Sequence, residues 1–503
     1  MNLDKNKKQG LLQNWLSILG GISSVIWFSA IIILFLLDFL RGHGDNPYLG
    51  IITYMILPVF LILSLLLIPL GAWWERKKRF KKEYIRRFPV IDFNNPVHQR
   101  WAYIIWGVLT MFLILTAIGS YKAYEFTESV TFCGVACHEP MRPEHVAYQQ
   151  SQHARVACVH CHIGPGVDWF VRSKLSGSYQ LYSVAFNKFS RPIETPVKNL
   201  RPAQETCEQC HWPAKFFGAQ QKVYTHYLTD EKNSPWQIQM LIKVGGGNPA
   251  LGATMGIHWH MNIKNAIEYI ASDEKREKIP WFRSTDPSGK VTEYMSMENP
   301  LTPEQVAKGE IRKMDCVDCH NRPSHIFHPP DRSLDEAFIT GRLDSSLPYL
   351  KKQAIDLLIK DYKTEQEAEQ SIRSGLLQYY KENYLEVFEE KSVSIRQATE
   401  EILKIYKTNF FPDMKTDWRT HPDHVGHIVS DGCFRCHDGQ HKSGEGKVLT
   451  RDCNICHTFL GQGPPEAVSK TPAMAQPFQH PVDVGVDVTE DKCTICHTGA
   501  GGS

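Results

Sequence analysis

The chain has 503 residues and a formal net charge of +2, too long for one hydrophobic core and read as two to four units. That balance hides a division: residues 1–100 carry 13 Lys and Arg against 6 Asp and Glu, and the remainder 43 against 48. A basic front on a mildly acidic body excludes nucleic-acid binding, which needs a basic patch on the folded part, and fits charges sorted by membrane topology.

Three uncharged apolar stretches follow one another, Leu16 to Leu37, Leu49 to Trp74 and Trp101 to Tyr121, each long enough to span a bilayer as a helix. A cleaved signal peptide plus buried core helices is the weaker reading, because the first stretch is too long for a signal and lacks a small-residue cleavage site. Trp15, Trp73, Trp74, Trp101, Tyr121 and Tyr124 stand at the ends of the spans, where amphipathic rings favour the interface. Pro58 and Pro69 each remove a backbone donor and predict a kink in the second span. The N-terminal tail (Lys5, Lys7, Lys8) and the loop from Arg76 to Arg100 are strongly basic and belong in the cytoplasm, whereas the loop near Arg41 to Tyr48 does not. Residues 1–125 are therefore expected to be a three-helix anchor in a bacterial inner membrane, with a cytoplasmic N-terminus and everything beyond Tyr121 in the periplasm.

All fourteen cysteines fall into seven pairs, each followed at once by histidine. Six are Cys-x-x-Cys-His: Cys158/Cys161/His162, Cys207/Cys210/His211, Cys316/Cys319/His320, Cys433/Cys436/His437, Cys453/Cys456/His457 and Cys493/Cys496/His497. The first, Cys133/Cys137/His138, has one residue more between its cysteines and is followed by Met141. Thiols one helical turn apart reach the two vinyl groups of one haem, and the next imidazole falls under the iron. Disulfides and zinc knuckles need no histidine at that position. Seven covalent haem c groups are expected, with the seven motif histidines as proximal ligands.

Thirteen further histidines share the motif-bearing part. The preferred distal ligands are His153, His258 or His260, His325, His427, His441 and His480, with His145, His160, His226, His328, His421 and His424 in reserve; for the first iron, Met141 or His145. Three motifs lie in residues 126–220, too dense for an ordinary core, so haem itself is expected to supply apolar mass. Residues 221–300 hold none. KIPWFRSTDPSGKVTEY there reads as strand, turn and strand about Asp286-Pro287-Ser288-Gly289. The glycine-rich VGGGNPALGATMGIHWH lacks the Gly-Lys-Ser/Thr of a phosphate loop; its glycines are expected to let the backbone come close to a haem and deliver His258 or His260. Residues 347–409 show helical periodicity with mixed charge on the outer face. The fold class expected is mainly α with much irregular structure: the three-helix membrane anchor, then a multihaem cytochrome c domain with a small β element and a helical insert.

Membrane anchor, FCGVACHEPM, SQHARVACVHCH and a further CxxCH come in an order that resembles the NapC/NirT/NrfH family of membrane-anchored quinol-oxidising cytochromes, over roughly residues 110–330. With three spans and seven motifs the whole chain looks closest to the inner-membrane heptahaem cytochromes of metal-reducing bacteria. The chain is expected to divide into anchor (1–125), a part that by this resemblance is a NapC/NirT-like tetrahaem domain (126–330, haem-free at about 221–300), helical insert (331–412) and trihaem segment (413–503). The resemblance also implies that Met141 is the axial ligand of a first haem beside the quinol site and that Lys174 faces the quinol. Two departures stand out: CxxxCHxxM replaces the family's CxxCHxM, and no carboxylate lies between Asp168 and Glu194, which leaves Gln180 or a haem propionate to take the proton. About twelve residues separate Tyr121 from Cys133, roughly 18 Å if helical, which puts the first haem at the membrane surface. The function expected is quinol oxidation, with electrons passed from the membrane pool along seven haems to a periplasmic acceptor, another cytochrome. The alternatives are a terminal nitrite or hydroxylamine reductase and a haem-bearing subunit of a larger respiratory complex.

Overall fold

The uncharged runs fold as three long helices, α1 (Trp15–Arg41), α2 (Leu57–Arg79) and α3 (Pro96–Thr127), each long and apolar enough to cross a membrane. The structure is a computed structural model describing residues 11–41, 52–79, 92–164, 166–197, 200–246, 256–261, 265–468, 475–486, 488 and 491–500; most of both inter-span loops lies outside them. It divides into two units, Met1–His138 and Glu139–Ser503.

In the first unit α1 and α2 pack closely because the residues between them are small. A Cβ on Gly20 would stand 2.8 Å from the Ser64 carbonyl, and the Ser17 hydroxyl donates to the Ile68 carbonyl at 2.9 Å. The second run begins with a π-turn, Ile52–Ile56, before the helix proper. Pro58 falls at the join of this π-turn and α2, where the regular hydrogen-bond ladder is already interrupted, and Pro69 lies inside the helix. Asn95 caps α3 by accepting from the Val97 N–H at 2.9 Å. None of the residues of α3 is buried.

In the second unit, α4 (His138–Gln150) and α5 (Val167–Ala185) precede the strands. β1 (Gln220–Tyr227) and β2 (Pro235–Ile242) form an antiparallel pair extended by β8 (His457–Gly463). A second sheet has the order β6–β3–β4–β5–β7, built from β3 (Ala266–Ile270), β4 (Trp281–Thr285), β5 (Val291–Ser296), β6 (Arg312–Lys313) and β7 (His441–Ser443). The turn between β4 and β5 is the expected one, its Asp286 carboxylate accepting from the N–H groups of Ser288 and Lys290. The β element is larger than a single hairpin because β7 and β8 come from beyond residue 440 and complete both sheets.

Four helices, α6 (Pro330–Ile339), α7 (Leu350–Leu358), α8 (Glu365–Asn383) and α9 (Ser392–Asn409), enclose a core in which Leu334, Leu350, Leu358, Ile372, Leu376, Ile395 and Ile402 are fully buried. Thr364 caps α8 by accepting from the Glu367 N–H at 3.1 Å. Lys351 is buried at the base of this bundle, its ammonium 2.5 Å from Asp331 and 2.6 Å from Asp335. Burial works against its charge, but the two carboxylates outweigh it and hold the amine above its ordinary value. Asp335 also accepts the Tyr227 N–H at 2.9 Å and meets the His226 ring at 3.1 Å, which fastens β1 to the bundle.

Candidate haem-binding sites

Each regular motif folds as a single turn. The histidine N–H bonds back to the carbonyl of the first cysteine at 2.8 Å in Cys207/His211, Cys316/His320 and Cys493/His497, and at 3.0 Å in Cys433/His437. Such a turn presents two thiols and one imidazole to the same side. The irregular motif is accommodated differently. Thr131–Ala136 forms a π-turn, whose wider helix takes up the extra residue between Cys133 and Cys137. This turn follows α3 directly and is tied back to it by the rings of Phe126 and Phe132, 5.4 Å apart.

The polypeptide does not enclose every attachment cysteine, as a set of sites sunk in a protein core would require. Cys210 and Cys496 are exposed, and so are Cys161, Cys319 and Cys453. In four of the six regular motifs it is the second cysteine that lies outward; in Cys453/Cys456 it is the first, and in Cys433/Cys436 neither is exposed. Backbone bonds still hold that residue in its turn: the Cys210 N–H donates to the Cys207 carbonyl at 3.1 Å, and the Cys496 N–H to the Cys493 carbonyl at 3.2 Å. A cysteine kept only for packing is among the most buried of residues. Exposed sulfurs at fixed places on a turn instead suit thiols that bond to the rim of a flat ring lying against the turn, which then covers them.

Opposite six motif histidines stands a second imidazole. Ring centres are 6.2 Å apart for His162 and His325, 6.1 Å for His211 and His153, 6.5 Å for His320 and His258, 6.0 Å for His437 and His260, 6.1 Å for His457 and His427, and 5.9 Å for His497 and His480. Two imidazoles on one metal, each bound at about 2 Å through a ring nitrogen, have centres about 6 Å apart. The separation therefore fits an iron between them. The second nitrogen fits as well. Nδ1 of His153, His258, His260, His325 and His480 lies 2.7–3.1 Å from the carbonyls of Pro323, Val244, Ile257, Glu144 and Val482. Donation there fixes the tautomer that leaves Nε2 for a metal. Burial also pushes His162, His258, His260, His320, His325, His427, His437 and His497 below the ordinary imidazole value, and His457 down to about 4. This keeps the rings in the neutral, ligating form.

His258 and His260, expected as alternatives, face two different motifs, at His320 and His437. Gly246 makes this possible: at φ +127° a Cβ there would stand 2.3 Å from the Trp259 nitrogen. Residues 247–255 of the glycine-rich stretch lie outside the described residues. His441, expected among the distal ligands, is not placed as one. Its Nδ1 bonds Asp438 at 2.9 Å and its Nε2 bonds the Ile279 carbonyl at 2.8 Å, so both nitrogens are engaged in closing the second sheet. Of the reserves, His160 is exposed, His226 pairs with Asp335, and His145 stacks on Tyr148. His226, Asp331 and Asp335 converge closely enough to hold a cation, but the Lys351 ammonium already bonds both carboxylates. His328, His421 and His424 are deeply set and held near 4, first by burial and then by the charges of Arg332, Arg322 and Arg435 respectively. Met141 is half-buried on α4. Lys174 lies on α5 with its ammonium 4.9 Å from the Phe170 ring.

The motifs from the second onward run in single file. Thiols of neighbouring motifs are close enough to act on one another: Cys161 and Cys207, Cys207 and Cys316, Cys319 and Cys433, Cys433 and Cys456, Cys453 and Cys493. The junction between the fourth and fifth motifs bridges the longest gap in sequence, and two residues inside the motifs secure it. Arg435 donates to the Asp318 carbonyl at 2.6 Å and to the Arg276 carbonyl at 2.7 Å. The Asp318 carboxylate accepts from Tyr269 at 2.6 Å and Arg312 at 2.8 Å. Both positions are the variable ones of Cys-x-x-Cys, so sequence reading had no reason to single them out.

Three membrane-length helices, attachment turns and opposed imidazoles define a membrane-anchored multihaem c-type cytochrome. Comparison with known proteins gives the family: residues 97–195 match the N-terminal region of the NapC/NirT cytochrome c family, and the chain belongs to it. It is 44% identical to the cytochrome c-type protein ImcH of Geobacter sulfurreducens over 500 residues, 98% of this chain and 97% of that protein. It is 31% identical to the cytochrome c-type protein TorC of Escherichia coli over 116 residues, 21% of this chain and 28% of TorC. No solved structure matches. Covalently bound haem c and electron transfer follow from the family.

Proposed function

We propose that this cytochrome takes electrons from the membrane quinol pool at the outer face of a bacterial inner membrane. It passes them along seven haems to a periplasmic acceptor, another cytochrome. The single file of motifs carries this reading, together with the position of the first motif on the end of a membrane-length helix. Haem c supplies one-electron redox chemistry when bound, held by a cysteine pair and the motif histidine at each of the seven sites.

The chain's own residues set the direction. At six sites His153, His258, His260, His325, His427 and His480 would hold the iron together with the motif histidine. At the first, the Met141 sulfur would do so, and methionine in place of histidine would raise the potential, as suits an acceptor for quinol. The Lys174 ammonium hydrogen-bonds a quinol oxygen and disfavours its proton. A haem propionate would receive that proton, with the Gln180 carboxamide able only to hydrogen-bond along its path. The basic cytoplasmic loops support a periplasmic haem domain. A terminal reductase needs an iron with an open face, and opposed imidazoles at six sites weigh against it there.

The test is menaquinol oxidation by the purified protein in detergent, with the haem spectrum followed through turnover. Met141→His and Lys174→Ala should each slow quinol-driven reduction, while dithionite reduces every haem as in the parent. Quinol rates equal to the parent in both variants would remove these residues from the entrance. Rapid cyanide or nitrite binding by one iron would favour the reductase.

A further inference from the structure

Helix α5 leaves an apolar stripe exposed. Val171, Leu175, Tyr179, Tyr182 and Phe186 recur at three- and four-residue steps along one face, and each is between 44% and 67% exposed except Leu175, at 69%. The side turned inward mixes small, polar and apolar residues: Ser183 is buried, and Phe170, Ser173, Gly177, Leu181 and Val184 are half-buried. A helix on a water-soluble surface would present polar and charged residues where this one presents the stripe. Basic groups bracket the apolar stripe. Arg172 lies 5.3 Å from the Trp169 ring, Lys174 lies 4.9 Å from Phe170, and Lys188 lies 4.9 Å from Tyr182, donating to its hydroxyl at 2.7 Å.

We infer that α5 lies flat on the bilayer, with its apolar stripe among the acyl chains just below the headgroups and its basic residues at the level of anionic phosphates. Three observations select lipid over a protein partner. The stripe runs from Val171 to Phe186, about 22 Å at 1.5 Å per residue. It is rich in aromatic side chains with a polar handle or a cation beside them, the composition of the membrane interface. It is flanked by cations that complement anionic headgroups, in a chain that carries its own membrane anchor. Asp168, Arg172 and Lys174 exclude a spanning orientation. This inference deepens the proposed function, since a lipid-soluble quinol would then reach Lys174 without leaving the bilayer, but it rests on the helix alone.

Single cysteines in place of Leu175, Tyr182, Ser176 and Gln180, spin-labelled in the full-length holoprotein in nanodiscs containing phosphatidylglycerol, test it. The native cysteines are thioethers there, so only the added one reacts. Oxygen relative to nickel-chelate accessibility should be at least about fivefold higher at 175 and 182 than at 176 and 180. Equal ratios on the two faces would overturn the inference. So would labels at 175 and 182 that neither reagent reaches, because protein or haem would then cover the stripe. Should the labelled variants fail to mature, a diazirine reagent partitioned into the bilayer should tag residues 171–186 of the unaltered protein, and the absence of tagging would equally overturn the inference. Neither measurement involves quinol turnover, so a lipid-facing α5 in a protein that fails to oxidise menaquinol would fault only the functional reading.

Discussion

The four-helix region and the stretch between the second and third motifs hold themselves together by different means. From α6 to α9 the chain fills its own interior, with Leu334, Leu350, Ile372, Leu376, Ile395 and Ile402 fully withdrawn from solvent. From residue 151 to 219, by contrast, only Ser183 and Ala203 are buried among the described residues. The first region is an ordinary protein core. The second has few buried side chains of its own to offset the entropy of ordering its backbone, so its fold is expected to depend on what its motifs bind.

The largest expected effect breaks that comparison directly. Protein made without haem attachment should lose residues 126–220 to protease within minutes, while a fragment spanning 330–418 survives. Equal resistance of both regions would show that the motif-bearing stretch needs no cofactor to fold. Next in size, Lys351→Met strands Asp331 and Asp335 without a counter-charge. Breaking a buried pair in this way should cost about 3–5 kcal/mol in urea unfolding, with haem content unchanged. Loss of haem along with the bundle would mean that the two regions fold as one.

A smaller effect concerns pH. His421 and His424 are 5% and 4% exposed, and both are held near 4, first by burial and then by a nearby arginine. Unfolded, each ring takes up a proton below about 6.5. Their stabilising contribution is therefore full above that pH and is withdrawn as pH falls from about 6.5 towards 4, on the order of 3 kcal/mol each. The double variant His421→Gln, His424→Gln should flatten the fall in urea midpoint between pH 7 and 5; an unchanged slope would assign it to other groups. The smallest effect is confined to one site. His260→Gly should convert one haem to a high-spin spectrum, while His441→Phe should leave all low-spin and only loosen the second sheet. The reverse outcome would exchange the roles of these two histidines.

What could be read in advance follows from range in sequence. The attachment motifs are covalent and local, and the β4–β5 turn is set by four consecutive residues, so both were legible. How far the protein itself covers each thiol was not, because the exposure of Cys210 and Cys496 depends on which segments pack against their turns. The three spans were legible from composition, but the π-turn at Ile52–Ile56 and the place of Pro58 at its join with α2 were not. Pairing of imidazoles depends on segments that meet only after folding: His325 faces a motif far upstream of it, and His258 and His260 diverge from one short turn to two motifs. His441 resembled a ligand because it follows a motif closely. Asp438, three residues before it, takes one nitrogen locally, but the Ile279 carbonyl that takes the other becomes a neighbour only once β7 joins β5. The Arg435–Asp318 fastening uses positions where the motif tolerates any residue, so nothing in the sequence marked it.

The opposed imidazoles also bear on assembly of a chain that emerges N-terminus first. His153, His258, His260, His427 and His480 all precede the motif they face, so at five sites both imidazoles are present as soon as the cysteines appear. The site of His162 is the exception: its partner, His325, follows the fourth motif. A haem held there would meet its second imidazole only after more than a hundred and sixty further residues had been delivered. Where a single histidine falls in the chain would thus set which site is completed late.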